Sequence, residues 1–421
     1  MPLIKAKTRS GDASQYVLTS GQDLIVGKGV KVESFQDDAI RSTSGAHKIT
    51  IAGTVIGYDS GISLQTGGQG TNSLTIEETG TLIGRNATAV SFDGKNAVLT
   101  NKGRLIADEG VAFNWDEDSN GTAKVINSGT IHFTDNSIYV SQNLALRVQN
   151  TGTIYMIDNT VIDGGELRDV VVNRGEIYGY ISLRGGNDLY DGQGGFQTGG
   201  IYGDEGNDTF RPGRGAEYLH GGDDFDTVDY SRGGAVFVNL DGDTTGRKAA
   251  AGDLLYRIER VIGSAKGDDK IYGNYNVESN ERLEGRGGQD SLYGGGGNDT
   301  LIGGMGRDVI EAGTLDGAVD YIVFNSAAEG GDRVSFFQEN DVVQFDREGF
   351  GGGLAQGWLA AERLHKGATN AAQDANDRFI FRTTDDTLWF DKDGNKGKFA
   401  PVMIAKFVDA DFFAANNIFI A

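Results

Sequence analysis

The 421-residue chain contains no cysteine, three prolines and four histidines. Lacking cysteine, it can form no disulfide staple and no thiolate site. The scarcity of proline argues against a disordered proline-rich linker. No segment is apolar for long enough to span a membrane, and residues 1–20 hold no apolar run of signal-peptide length. Bases are the minority: 38 Lys and Arg face 60 Asp and Glu, a formal charge of −22. That excess disfavours nucleic acid and anionic membrane surfaces as partners. None of the histidines (His47, His132, His220, His365) lies in a His-Glu-x-x-His setting, so a zinc protease helix is excluded. Neither a Gly-x-Ser-x-Gly elbow nor a Gly-x₄-Gly-Lys-Ser/Thr phosphate loop is present.

What the chain has in abundance is glycine, 66 residues. Much of it falls in a nine-residue phrase, Gly-Gly-x-Gly-x-Asp-x-(apolar)-x. Residues 285–293, 294–302 and 303–311 are three uninterrupted units, with Asp290, Asp299 and Asp308 sixth and Leu292, Leu301 and Ile310 eighth. Glycines permit a tight turn and leave carbonyl oxygens unshielded, the aspartate adds an anionic oxygen, and Ca²⁺ takes six to eight such ligands. The short tail forms one strand with its middle side chain inward. One unit is therefore a turn plus a strand, and two make a coil. Turns on the same edge come 18 residues apart, as Asp290 and Asp308 do.

The register extends in both directions. Glu281 with Leu283 precedes Asp290 by nine; Asp269 stands 21 before it, across an insertion around 275–279; Asp320 with Ile322 closes the block. An earlier block runs through Asp188, Asp208 and Asp226, with Glu217 midway between the last two on the opposite edge. The expected ligands are the carboxylates of Asp188, Asp208, Asp226, Asp269, Glu281, Asp290, Asp299, Asp308 and Asp320. To these are added the backbone carbonyls of Gly203, Gly206, Gly221, Gly285, Gly287, Gly294, Gly296 and Gly303. The spacing predicts several Ca²⁺ ions, on the order of four to seven, with the first block loaded mainly on one edge.

These nonapeptides resemble the RTX (haemolysin-type) calcium-binding repeats of secreted bacterial proteins. The resemblance implies a parallel β-roll that folds on calcium and export by type I secretion machinery reading an uncleaved C-terminal signal. The ending from Asp411-Phe412-Phe413 to Ile418-Phe419-Ile420-Ala421 is similar to the acidic–apolar tails of that class. Residues 325–421 resemble the domain that follows the repeats in serralysin-type proteases, without the protease motif.

The first part of the chain repeats on a longer period. Gly29, Gly53, Gly80, Gly103, Gly129, Gly152 and Gly175 each precede a β-branched segment, spaced 24, 27, 23, 26, 23 and 23. Such a period predicts rungs of a parallel β-helix whose stacked interior no single rung could bury alone. The fold class expected is thus all-β: a parallel β-helix (1–180), a first roll block (181–230), spacer strands (231–262), a second roll block (263–324) and a β-sandwich-like cap (325–421). Asp59, Asn86, Glu109, Asp135 and Asp158 follow the rung glycines by six. They are either ordinary Asx turns or, with Trp115, Asp116 and Tyr155, a carbohydrate or cation groove. The sequence Asp391-Lys392-Asp393-Gly394-Asn395 opens like an EF-hand, but Lys396 and Val402 break the pattern and a hairpin turn is expected.

No catalytic signature emerges. The expectation is a secreted calcium-binding solenoid acting outside the cell or at its surface, possible partners being a polysaccharide or a cell-surface component. The alternative is a polysaccharide-acting lyase, epimerase or hydrolase with its groove on the N-terminal β-helix.

Overall fold

A computed structural model describes residues 2–65, 70–114, 120–240, 247–248, 252–275, 279–313, 317–408 and 412–421, with backbone alone for 157–158 and 247–248. Trp115, Asp116, Asp411 and part of the 275–279 insertion fall outside these residues, as does the Asp158 side chain. The chain forms two compact units, Met1–Asp226 and Thr227–Ala421. Each is a parallel β-solenoid.

In the first unit every rung up to about residue 150 has three short strands, exemplified by Asn96–Asn101, Arg104–Ala107 and Val111–Asn114. Each strand pairs in parallel with its counterpart one rung on. Because pleated side chains alternate, every second position of a strand points inward, and register stacks those positions into columns. One column runs Leu24, Ile49, Leu74, Leu99, Val125, Val148, Val171, Tyr190, Phe210. A second runs Val32, Val55, Leu82, Leu105, Ile131, Ile154, Ile177. The third runs Ile40, Ile62, Val90, Val111, Ile138, Ile162, Ile181, Ile201, Leu219. All these side chains are buried.

The rung glycines mark a close approach between neighbouring backbones. A Cβ on Gly152 would lie 2.1 Å from the Gly129 carbonyl oxygen, and one on Gly129 2.2 Å from that of Gly103. Beside them runs a buried ladder of asparagines. Asn101 Nδ2 donates to Asn127 Oδ1 at 2.8 Å, Asn127 Nδ2 to Asn150 Oδ1 at 2.8 Å, and Asn150 Nδ2 to Asn173 Oδ1 at 2.9 Å. The ladder ends on the Phe196 carbonyl at 3.0 Å. From Thr153–Asp163 onward two of the three strands merge across a bulged corner, and the rungs shorten toward the roll.

The second unit has two parallel sheets. Val228, Val261, Leu283, Leu301, Ile322, Val343 and Ile418 form one inner column. Val238, Ile271, Leu292, Ile310, Val334 and Phe407 form the other. The eighth-place residues of the repeats therefore lie inward, as their position predicts. The spacer strands Val236–Asn239 and Arg260–Ile262 are members of these same sheets. So are the strands of the final segment: Tyr321–Phe324 and Val342–Phe345 extend one sheet, while Asp332–Ser335 and Val402–Phe407 extend the other. The cap thus ends the roll by prolonging both of its faces, closing with the antiparallel strands Thr387–Phe390 and Phe379–Arg382. The segment from Asp391 is a hairpin turn, with Asp393 accepting from the amides of Lys398 and Phe399 at 2.9 and 3.2 Å.

Candidate metal-binding turns

The sixth-place carboxylates line up along the edges of the roll, each tied to the turn one coil before it. In the first unit the Asp169 amide donates to Asp188 Oδ1, that of Asp188 to Asp208 Oδ1, and that of Asp208 to Asp226 Oδ1, all at 2.8 Å. In the second unit one edge runs Asp269, Asp290, Asp308, Asp332, with amide-to-Oδ1 distances of 2.7, 2.8 and 2.9 Å. The opposite edge runs Glu281, Asp299, Asp320, Asp341, at 2.8, 2.9 and 3.0 Å. Every carboxylate named from the sequence takes its place in one of these three chains. The same-edge neighbours are the pairs that spacing predicts, including the 18-residue steps 208 to 226, 281 to 299 and 290 to 308.

A second, oppositely directed ladder runs beside the first at the fifth place. Asn187 Oδ1 accepts from the Asn207 amide, Asn207 Oδ1 from that of Phe225, and Asn280 Oδ1 from that of Asn298. The turns are thus pinned from both sides before any ion is considered.

That pinning uses only one carboxylate oxygen. The second oxygens of Asp188, Asp208, Glu281, Asp290, Asp299, Asp308 and Asp332 are buried and have no hydrogen-bond partner. A buried anionic oxygen left unpaired is strongly unfavourable, so it calls for a cation or a proton. The surroundings are made of oxygen. A Cβ placed on Gly203 would sit 1.9 Å from Asp208 Oδ2 and 2.6 Å from the Gly221 carbonyl oxygen. One on Gly294 would sit 2.8 Å from Asp299 Oδ2 and 1.9 Å from the Ala312 carbonyl, and one on Gly273 1.9 Å from the Gly294 carbonyl and 3.3 Å from Glu281 Oε2. Carboxylate and carbonyl oxygens therefore converge on the space that the missing side chain leaves. An all-oxygen set with one carboxylate per turn suits a hard divalent cation such as Ca²⁺. Among the described residues no three acidic or imidazole side chains form a cluster, so carbonyls must supply the remaining ligands.

The glycines predicted as carbonyl donors divide by role. The carbonyls of Gly221 and Gly294 face carboxylate oxygens, as does that of Gly285, 3.1 Å from a Cβ on Gly263 that would also lie 2.5 Å from Asp269 Oδ2. Gly203, Gly285 and Gly303 supply room: a Cβ there would be 1.9, 2.4 and 2.4 Å from the Oδ2 of their own unit's aspartate. Gly206, fourth in its unit, has φ +108 and makes the turn. Gly287 stands between neighbouring turns, where a Cβ would be 2.9 Å from the Ala265 carbonyl oxygen, and the Gly296 amide donates to the Asn274 carbonyl at 2.8 Å.

Burial governs the protonation of these groups. It pushes Asp308 up to about 6, Asp208 and Asp290 to about 7, Asp332 to about 8 and Asp188 to about 9. Asp269, Glu281 and Asp299 are raised for the same leading reason, Asp299 also by the charge of Glu281. Asp269 and Asp341 differ in being saturated: in Asp269 Oδ1 accepts from Val236 and Oδ2 from the Ser264 amide, at 2.7 and 2.6 Å, and in Asp341 Oδ1 accepts from Asp320 and Oδ2 from the Gln338 amide, at 3.0 and 2.6 Å. On the other edge of the first block the Tyr190 hydroxyl donates to Glu217 at 3.3 Å, and Arg174 pairs with Asp191 at 2.8 Å. The acidic groups of that edge thus already have a phenol and a guanidinium as partners.

Three acidic residues of the ladders were not expected: Asp169, Asp332 and Asp341. Their spacings to the neighbouring carboxylates, 19, 24 and 21, break the nine-residue count. The signal they retain is Asp-x-apolar, with Val171, Val334 and Val343 inward. Of the stacked acidic positions on the N-terminal helix, Asp59, Asn86, Glu109 and Asp135 are exposed corner residues. Their backbones bond from rung to rung, Asp135 N–H to the Asp108 carbonyl at 2.7 Å for one.

The RTX calcium-binding nonapeptide repeat family matches the chain in four copies, at residues 201–229 and 275–310. These segments hold Asp208, Asp226, Glu281, Asp290, Asp299 and Asp308, and the carboxylate ladders extend beyond them. No curated protein matches the chain.

Proposed function

We propose that the chain is a calcium-dependent RTX solenoid, exported through type I machinery, that folds on meeting extracellular Ca²⁺ and serves outside the cell or at its surface as an interaction protein. The observation that carries the reading is the row of buried carboxylate oxygens without partners, those of Asp208, Glu281 and Asp299 facing carbonyls across a glycine. Asp188, Asp208, Asp226, Asp290, Asp299, Asp308, Asp320 and Glu281 act as anionic ligands, with Asp332 added to the set. Asp269 ligates once the Ser264 amide releases its second oxygen. The acidic–apolar ending supports export from the C-terminus.

Ions at these turns neutralise the repulsion along each edge and cross-link successive coils, a role that cysteine cannot take here. Extracellular calcium modules bind at about 0.1–1 mM, so the roll would stay open in calcium-poor cytosol. The test is a calcium titration of chelated protein followed by circular dichroism and scattering. A large gain in β-structure with compaction is expected; an unchanged spectrum would sink the proposal. The enzyme alternative gains no support from the exposed corner residues of the N-terminal helix.

A further inference from the structure

The outer face of the second unit's roll carries a groove that the calcium turns do not account for. Register places Tyr272, Tyr293, Glu311 and Ser335 in one outward row across four successive strands. Tyr272 and Tyr293 stack with ring centroids 4.2 Å apart and planes 11° from parallel. The Lys270 ammonium lies over both rings, 5.0 and 5.4 Å from their centroids. Two cavities open along this row. One, of about 380 Å³, is lined by Tyr275, Tyr293, Gly294, Gly313, Glu311 and Phe336. The other, of about 740 Å³, shares Glu311 and Phe336 and adds Arg333, Ser335, Gln338 and Asn340.

Phe336 stands between the two, 54% exposed, with φ +57. A bulky residue in left-handed backbone is strained, and an aromatic ring held out in water gains nothing from burial. The backbone reversal itself has a cause: Phe337 turns inward to pack against Phe407 and Phe413, with centroids 5.1 and 5.9 Å away. Glycine or asparagine at 336 would make that turn without penalty. The ring therefore needs a reason of its own. A second observation lies beside it. Ser335, 6% exposed, lines the larger cavity, and its Oγ has no hydrogen-bond partner. Such a hydroxyl awaits a polar group from outside the chain.

We propose that this groove binds a neutral linear oligosaccharide. A pyranose ring has an apolar C–H face and a rim of hydroxyls. Tyr293 and Phe336 provide aromatic faces for the first, while Glu311, Ser335, Gln338 and Asn340 provide acceptors and donors for the second. Glu311 and Glu339 at the groove are balanced by Arg333 and by Lys270 over Tyr293, a lining of little net charge that suits a neutral ligand. Gly294 and Gly313 form one wall and belong to the turns of Asp299 and Asp320, so calcium that orders those turns also shapes the groove. The inference rests on the extracellular interaction role proposed above and narrows it to one class of ligand.

The test uses the full chain in excess calcium. Hexasaccharides of glucose, mannose, galactose and N-acetylglucosamine, with an oligouronate as charged control, are titrated by calorimetry and tyrosine fluorescence. At least one neutral hexasaccharide should bind, and Phe336→Gly, which relieves the backbone, should weaken it by about tenfold or more. Ser335→Ala should also weaken it, whereas a merely structural serine would leave binding unmoved. The circular dichroism response to calcium should persist in both variants. Failure of every neutral sugar, binding confined to the oligouronate, or unaltered affinity in Phe336→Gly would each overturn the groove while leaving the calcium reading intact. Loss of the calcium response in the parent chain would instead overturn the calcium reading, and this inference with it.

Discussion

At the residue scale, the repeat's first glycine and its sixth-place aspartate form a single device. Gly285 has no positive φ; it is glycine because a Cβ would meet Asp290 Oδ2 at 2.4 Å. Gly285→Ala should therefore act through the carboxylate, displacing its free oxygen without straining the main chain. The expected result is a loss of calcium affinity of about tenfold, near 1.4 kcal/mol, measured by titration against the parent protein. Asp290→Asn should do at least as much, because it removes the anionic charge while leaving an oxygen to accept from the Asp269 amide. The raised carboxylates add a pH dependence. With Asp208 and Asp290 near 7 in the fold against 3.8 for an ordinary aspartate, the metal-free folded state holds more protons than the unfolded one between those limits. Its stability is thus fully present below about pH 4 and is lost as pH rises through about 7. Calcium competes with those protons, so its affinity should climb over the same interval. Thermal melts of chelated protein from pH 4 to 8, beside calcium titrations, would check both slopes; parallel slopes would contradict the competition.

At the element scale, the strand is stabilised by its place in a column. Asn101, Asn127, Asn150 and Asn173 show how a polar residue can hold an inward position: each amide satisfies its neighbour one rung away. Asn127→Ala removes both a donor to Asn150 and an acceptor from Asn101 in a buried setting. It should cost about 2–3 kcal/mol, read as a lowered urea midpoint of the first unit with calcium present. The sequence announced the rungs through the glycines that precede each β-branched segment. It did not announce that the asparagines face inward, because Asn before Gly also reads as an ordinary turn. Regular counting likewise found Asp290 and Asp308, while it passed over Asp332 and Asp341, where insertions lengthen the coil. The groove residues are legible only in part: Tyr293 and Glu311 are ninth in units 18 residues apart, whereas Ser335 and Phe336 join them by register beyond the regular count.

At the scale of the whole molecule, the two halves of the sequence solve one problem in different ways. A parallel coil must close its turns at every rung. Up to about residue 160 the turns close by backbone contacts over glycine and by the asparagine ladder, above three columns of aliphatic side chains. From Asp188 onward the rungs shorten, the apolar interior narrows to about one side chain per strand, and buried carboxylates take over the edges. Stability should therefore divide along the chain when calcium is removed. With excess chelator at neutral pH, amide exchange should rise sharply over 263–324 and the strands that extend it, while the columns through Leu99, Leu105 and Val111 keep their protection. Protease should cut first among the repeats and leave a resistant N-terminal fragment. Restored calcium should reverse the exchange pattern. If protection fell equally in both regions on chelation, the rungs would depend on the metal as much as the roll, and a self-sufficient aliphatic core in the N-terminal half would have to be given up.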